Sequence, residues 1–258
     1  MIDGQALFNE GDRLYDLGKF EDAIGCFDQV LEIEPDNHEA LYRRGIALTD
    51  LGKFRDAVES FDKALEIAPN KQKAWYGRGT ALGELCLFNA AVESYDKALT
   101  IDPNDHEAWY NRGLALQHLR RLKRAIASYN KALKINPECH EAWNNRGNAL
   151  DDLGEFQEAV ESFDKALEIK PDKYEAWYNR GVALYHLGKF QDAIASYDKA
   201  LEIDSEDFKV WNNRGVALKR LGRIEDAVES FNHALEINPN HRYSQFLRDL
   251  CLEDIQTR

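Results

Sequence analysis

The sequence predicts an all-α solenoid made of seven helical hairpins and a closing helix. Two observations lead to this prediction. Residues of the same type recur every 34 positions, and the apolar residues inside each repeat follow helical spacing twice. A single hairpin cannot cover its own apolar face, so units of this kind are stable when they stack in a line.

The prolines mark the period most plainly, because all 6 lie on one grid whose single empty slot holds Ser205. The tryptophans, one glycine and one alanine of each unit follow the same grid. The prolines are Pro35, Pro69, Pro103, Pro137, Pro171 and Pro239. With proline at position 32, the units are 4–37, 38–71, 72–105, 106–139, 140–173, 174–207 and 208–241.

Each unit reads as two helices joined by a short turn. In the sixth unit the second apolar run extends from Phe190 to Ile203, and Gly188 precedes it as a left-handed cap of the first helix. Glycine at position 8 and alanine at position 20 let the two helices approach, while large aromatic rings at positions 4 and 24 fill the space beside them. Two units carry Cys86 and Arg120 in place of the capping glycine, so we expect their turns to be less regular.

The pattern W-x-x-x-G-x-A-L, followed by the alanine, the Tyr or Phe and the proline, resembles the tetratricopeptide repeat (TPR) family over residues 4–241. The resemblance implies a TPR right-handed superhelical solenoid of helix-turn-helix hairpins. Residues 242–258 continue with one more apolar stripe, and we expect them to form a C-terminal capping helix that shields the last apolar face. The stripe consists of Tyr243, Phe246, Leu247, Leu250 and Cys251.

Composition excludes several classes of function. The chain has 33 basic and 46 acidic side chains and a net charge of −13, which disfavours nucleic acid and anionic lipid as partners. Its 4 cysteines lack the CxxC pairing of a metal or redox centre. With no apolar run long enough to span a membrane, we expect a cytoplasmic protein. Nearly every polar residue recurs at a fixed slot, which indicates a scaffold and not an enzyme, with no cofactor and no metal.

Arginine stands at position 7 of units two to seven, where the family usually has leucine. We expect these arginines to pair with carboxylates of neighbouring helices, such as the recurrent Asp62, Asp96, Asp164 and Asp198. The serines that share one slot of the second helix, such as Ser162 and Ser196, are interpreted as packing residues.

In the family that this chain resembles, the first helix of each hairpin lines the concave face, with positions 2, 5, 6, 9, 12 and 13 pointing into it. Position 6 holds asparagine in four consecutive units, and position 5 holds tyrosine or asparagine. An asparagine offers donors and an acceptor, so a row of them could pair with the backbone of an extended peptide. The residues assigned to this peptide-binding groove are Tyr110, Asn111, Asn144, Asn145, Asn148, Tyr178, Asn179, Lys209, Asn212 and Asn213.

The function predicted on this basis is a protein-interaction scaffold that binds a protein or peptide partner. One alternative is a self-assembling adaptor that forms homo-oligomers. Another is the clamp for a chaperone tail's terminal carboxylate, for which Asn148, Asn179 and Lys209 match but Asn144 and Asn213 replace cations. The asparagines could also simply keep the groove wet or cap neighbouring helices.

Charge along the predicted groove is uneven. The first units place carboxylates there and the last unit places cations, which favours a peptide whose basic end meets the first units. The groove carboxylates are Asp12, Asp16, Glu39, Asp50 and Glu84, and the cations are Lys209, Lys219 and Arg220. A separate basic cluster at Arg120, Arg121, Lys123 and Arg124 is either a solvated loop or a docking point for an acidic partner.

Overall fold

The computed structural model describes residues 3–257, and within this range every regular element is an α-helix. The chain divides into two compact units, one ending at Asn136 and one beginning at Pro137, which we call the N-unit and the C-unit. The N-unit contains α1 (Gly4–Asp16), α2 (Phe20–Ile33), α3 (His38–Asp50), α4 (Phe54–Ile67), α5 (Gln72–Glu84), α6 (Phe88–Ile101), α7 (His106–His118) and α8 (Leu122–Ile135). The C-unit contains α9 (His140–Leu153), α10 (Phe156–Ile169), α11 (Tyr174–His186), α12 (Phe190–Ile203), α13 (Phe208–Arg220), α14 (Ile224–Ile237) and α15 (Arg242–Gln256).

The ring at position 24 fills the centre of each hairpin. Phe163 on α10 is fully buried, and a Cβ added at Gly147 on α9 would lie 2.6 Å from its Cε1. Tyr129 and Gly113 repeat the arrangement in the N-unit, where the corresponding distance is 2.5 Å. Because no real Cβ fits at such a distance from a ring, close packing excludes a side chain at position 8.

The tryptophans at position 4 have a different role from these rings. Trp177 is only half-buried, and its indole N–H donates to the Pro171 carbonyl at 2.8 Å. Its ring also lies 5.7 Å from the guanidinium carbon of Arg180. The tryptophan therefore stabilises the turn between hairpins by a hydrogen bond, while the position 24 ring forms the core.

The prediction that the arginines at position 7 pair with carboxylates is confirmed for five of them, Arg44, Arg78, Arg112, Arg180 and Arg214. Arg180 on α11 donates to Asp164 on the preceding helix at 2.6 Å and to Ser196 on the following helix at 2.7 Å. Arg44, Arg78, Arg112 and Arg214 make the same two bonds. The serines are therefore hydrogen-bond partners and not merely packing residues, and each arginine ties together three consecutive helices.

The expectation of less regular turns at Cys86 and Arg120 was wrong. Cys86 has φ of 58° and Arg120 has φ of 56°, which lie in the same left-handed region as Gly154 at 81°. The amide after Cys86 donates to Leu82 at 2.9 Å, just as the amide after Gly154 donates to Leu150 at 2.9 Å. The hairpin packing thus imposes one turn conformation. Cys86 and Arg120 adopt it although their Cβ atoms make it sterically unfavourable.

We expect Cys86→Gly to raise the free energy of unfolding by about 0.5 to 1 kcal/mol, because glycine adopts the left-handed region without a Cβ clash. Urea denaturation followed by circular dichroism measures the change. The reverse substitution, Gly154→Ala, is the matched control and should lower stability by a similar amount. A loss of stability in Cys86→Gly would show that the turn carries no strain.

Within each unit the first helices of successive hairpins touch one another, whereas the second helices do not, among the residues that the structure describes. In the N-unit α1, α3, α5 and α7 meet in sequence, and in the C-unit α9, α11, α13 and α15 do so. The first helices therefore line the inner side of each unit, as the resemblance implied. We call this side the inner face.

The closing helix α15 forms where it was predicted, but it shields less than expected. Ser244 and Cys251 are buried, whereas Tyr243 is 54% exposed and Phe246 is 61% exposed. Phe246 stands at position 5, where the ring in several earlier hairpins packs on a second helix. In the described part of the chain α15 has no such second helix, so this side of it stays open.

Among residues 3–257, no helix combines the length and the apolar character that crossing a membrane requires.

Candidate functional site

The tyrosines at position 5 belong partly to the core of their own hairpin. The ring of Tyr110 lies 6.1 Å from that of Tyr129, and the ring of Tyr178 lies 6.4 Å from that of Tyr197. Both pairs are tilted, which is a favourable geometry for aromatic rings. Because one edge of each ring packs against the second helix, only the opposite edge and the hydroxyl contribute to the inner face.

The position 6 asparagines are joined sideways to the preceding hairpin. In the N-unit, Asn111 donates from Nδ2 to the Tyr76 hydroxyl at 2.9 Å. In the C-unit, Asn213 donates to the Tyr178 hydroxyl at 3.2 Å, and Asn179 donates to Asn148 Oδ1 at 2.9 Å. These bonds orient the amides and use one N–H of each, so the second N–H of each amide is available to a ligand.

Asn144 and Asn212 are buried, contrary to the expectation that both point into the groove, and their contact with a peptide stays a prediction. Their residues are only 8% and 6% exposed. Asn212 donates to Asn213 Oδ1 at 3.3 Å and accepts from Ser244 on α15 at 2.8 Å. Each contacts the neighbouring position 6 asparagine from the buried side. An asparagine at position 5 is too short to extend to the surface as tyrosine does.

Asn145 and Lys209, two further residues of the predicted groove, differ in exposure. Asn145 is half-buried and its Oδ1 accepts from Asn144 at 3.5 Å, a long contact. Lys209 is exposed at the start of α13, where Asp207 caps its backbone N–H. The carboxylate clamp is disfavoured, because a buried neutral Asn144 occupies one of its cation positions.

Burial raises the pKa of the Tyr76 and Tyr178 hydroxyls, so both remain protonated at neutral pH. Each hydroxyl accepts an asparagine N–H, and the Tyr76 hydroxyl also makes a long contact of 3.5 Å to Glu107 Oε2, to which it donates. Burial also raises the pKa of two carboxyl groups on the inner face, those of Asp12 and Asp151. The inner face therefore carries protonated tyrosine hydroxyls and two carboxyl groups whose charged form is disfavoured by burial.

A cavity in the C-unit was not anticipated from the sequence. It has a volume of about 240 Å³ between α11, α12, α13 and α15. Its walls include Val182, Tyr185, Tyr197, Val216 and Tyr243. The repeat pattern contains the signal for it, since positions 9, 12 and 24 of one unit face position 9 of the next.

Two histidines at position 13 stack on phenylalanines of the preceding hairpin. The His118 ring lies 4.5 Å from Phe88, and the His186 ring lies 4.7 Å from Phe156. No group of three or more His, Cys, Asp or Glu side chains in the described range is arranged to hold a metal ion. Such stacking accounts for the recurrence of histidine at this position.

Family models match most of the repeats. A model described as tetratricopeptide repeat matches residues 8–72 and 144–208, and a second with the same description matches residues 106–139 and 208–241. A third, described as TPR repeat, matches residues 88–119. No curated protein shows significant similarity to the chain.

Several solved structures of similar fold are described as TPR proteins. YrrB, described as a TPR protein with an unusual peptide-binding site, is 24% identical, covers 74% of this chain and 99% of its own, and gives a TM-score of 0.69. MamA from Desulfovibrio magneticus RS-1 is 28% identical, with 66% of this chain and 96% of its own covered and a TM-score of 0.63. The C-terminal part of a TPR repeat-containing protein from Cytophaga hutchinsonii is 18% identical over 93% of this chain and 98% of its own, with a TM-score of 0.80. With the repeat pattern, the helical hairpins and the matched family models in agreement, this chain belongs to the tetratricopeptide repeat family.

Proposed function

We propose that this chain is a protein-interaction scaffold whose inner face, especially in the C-unit, binds an extended peptide or partner segment. The observation that supports this proposal most directly is the hydrogen-bonded row of amides. Asn179 and Asn213 are held by Asn148 and Tyr178, and each retains an unused N–H. The description of YrrB as a peptide-binding TPR protein agrees with such a role for this architecture.

The amides alone support modest affinity. A hydrogen bond contributes about 0.5 to 1.5 kcal/mol net, so three or four of them supply a few kcal/mol before the cost of association is subtracted. Because the amides are already oriented, little side-chain entropy is lost on binding. The backbone of the peptide would be held without regard to its sequence, and selectivity would come from side-chain cavities along the inner face.

We expect the double variant Asn145→Ala/Asn179→Ala to bind a peptide ligand at least about tenfold more weakly, which corresponds to about 1.4 kcal/mol. The ligand is a peptide selected on the immobilised wild-type protein from a random displayed library. Fluorescence anisotropy measures its affinity, and circular dichroism should show unchanged helical content.

The matched control is Asn89→Ala/Asn232→Ala, which removes two exposed amides from second helices. Its affinity for the selected peptide should equal that of the wild type. If the Asn145/Asn179 variant also binds with wild-type affinity, the amide row has no role in recognition.

Self-assembly is a second candidate, and the exposure of Tyr243 and Phe246 on α15 favours it. Homo-oligomers formed through this helix would dissociate on dilution. Light scattering over a range of concentrations tests the idea, and a constant monomer mass together with an unchanged mass for Phe246→Glu would exclude it. The net charge of −13 disfavours nucleic acid as the partner in either case.

A further inference from the structure

The amide row is interrupted at Gly77 on α5. Asparagine occupies this position in four later repeats, and there Asn111 and Asn213 each donate to the tyrosine of the preceding hairpin. Gly77 has no amide to offer, and the corresponding tyrosine, Tyr42, makes no hydrogen bond from its hydroxyl within the described residues. Position 6 departs from asparagine at Arg43 and at Gly77, and the departure at Gly77 leaves both a cavity and a tyrosine hydroxyl that the protein does not use.

The space at Gly77 is a cavity of about 230 Å³ between α3, α4 and α5. Its floor is the Phe61 ring, which approaches so closely that a Cβ added at Gly77 would lie 2.6 Å from Cζ. Its walls are mainly apolar and are formed by Tyr42, Ile46 and Tyr76. Because a water molecule occupies about 30 Å³ in the liquid, the cavity has room for a large aliphatic or aromatic side chain.

The surroundings of the cavity are acidic. Asp50 and Lys73 stand at its edge, and Asp50 accepts a hydrogen bond from the Tyr15 hydroxyl. Arg43, another cation of this face, already pairs with Asp12 at 3.3 Å. Among the residues that the structure describes, Asp16, Asp50 and Glu84 form no salt bridge and outnumber Lys73, which forms none either, so the inner face of the N-unit carries more negative than positive charge.

We propose that the Gly77 cavity receives one apolar side chain, of the size of leucine or phenylalanine, from an extended partner peptide that carries lysine or arginine beside it. The Phe61 ring and Ile46 would pack on the apolar side chain. The basic neighbour would lie near Asp50, and the Tyr42 hydroxyl would bond to the peptide backbone. This inference rests on the proposed function and adds to it a class of ligand, a basic and apolar peptide segment.

Three short fluorescein-labelled peptides test the proposal. The first places one leucine between lysines in a Gly-Ser background, the second replaces leucine by alanine, and the third replaces the lysines by glutamates. We expect the alanine peptide to bind about 10-fold or more weakly, which is typical of filling or emptying an apolar pocket. The glutamate peptide should bind still more weakly at low salt. Added salt should weaken the binding of the two peptides that carry lysine but not that of the glutamate peptide.

Two variants close the cavity from different sides. Gly77→Asn installs the side chain that the other repeats carry, and Thr49→Phe fills the cavity from α3 without altering α5. Both should bind the leucine peptide no better than the alanine peptide. Gly25→Asn on the second helix α2 is the control, because a Cβ there meets nothing within 4 Å, and it should keep the wild-type preference for leucine.

Thermal melting establishes that each variant is folded. If Gly77→Asn forces the Phe61 ring to move and lowers stability, the result for Thr49→Phe decides. A wild-type protein that binds the leucine and alanine peptides equally, or binds neither, would overturn the proposal. So would a folded Thr49→Phe variant that still prefers leucine.

The outcome is separable from that of the proposed function. The Asn145/Asn179 variant alters the C-unit and is measured with its own selected peptide. If that variant loses binding while the leucine and lysine peptide shows no preference, only the Gly77 cavity proposal fails. If the cavity selects leucine while the amide variant binds normally, only the role of the amide row fails.

Discussion

Phe163→Ala is expected to lower the free energy of unfolding of the C-unit by about 3 to 5 kcal/mol. The ring is fully buried between α9 and α10, where it packs against Gly147. Removing the ring opens a cavity at the centre of a hairpin, and a glycine neighbour has no side chain with which to fill it. The destabilisation therefore includes both the lost burial and the cavity.

Hydrogen exchange and urea denaturation measure this change, and protection should fall most in α9 and α10, since each repeat contacts only its neighbours. Phe246→Ala removes the same ring from an exposed position on α15 and should change stability by less than about 0.5 kcal/mol. Equal losses in the two variants would contradict the assignment of position 24 to the core.

The second largest effect is expected for Arg180→Met, which should cost about 2 to 3 kcal/mol. The substitution keeps an unbranched stem but removes the bonds to Asp164 and Ser196. Hydrogen bonds with a charged partner contribute about 1.5 to 3 kcal/mol each when formed in a partly buried place. It also removes the cation above the Trp177 ring.

Arg223→Met is the matched control, because Arg223 pairs with Asp226 one turn away on the surface, where both side chains are nearly half exposed. Such pairs contribute less than about 1 kcal/mol. The experiment compares urea midpoints at low and at 0.5 M salt. If Arg180→Met is as mild as the control, the arginine row does not join the helices.

Helix positions followed from the sequence with little error. The second helix of the sixth unit was read from Phe190 to Ile203 and is observed as Phe190–Ile203. This succeeds because the hairpins repeat the same signals, with a turn residue before the second helix and, in all units but the sixth, a proline two residues after it. The left-handed turn at Cys86 could not be read in this way, because the packing of the hairpin and not the residue at the turn selects its conformation.

The candidate site was less predictable. Repeat positions assigned Asn144 and Asn212 to the groove, but the length of a side chain decides whether position 5 reaches the surface, and both amides are buried. Gly77 carries no signal of a cavity in the sequence. The cavity depends on where the Phe61 ring of the preceding hairpin lies, which is a property of three packed helices.

The repeat, the helices, the stacking of hairpins and most of the arginine pairs can be derived from the sequence, because all of these depend on residue type at a fixed period. The orientation of the amides, the position of the cavities and the exposure of Tyr243 and Phe246 on α15 become visible only in the folded chain. Those features arise between neighbouring hairpins, where the contact made by a residue depends on the size and position of side chains far away in the chain.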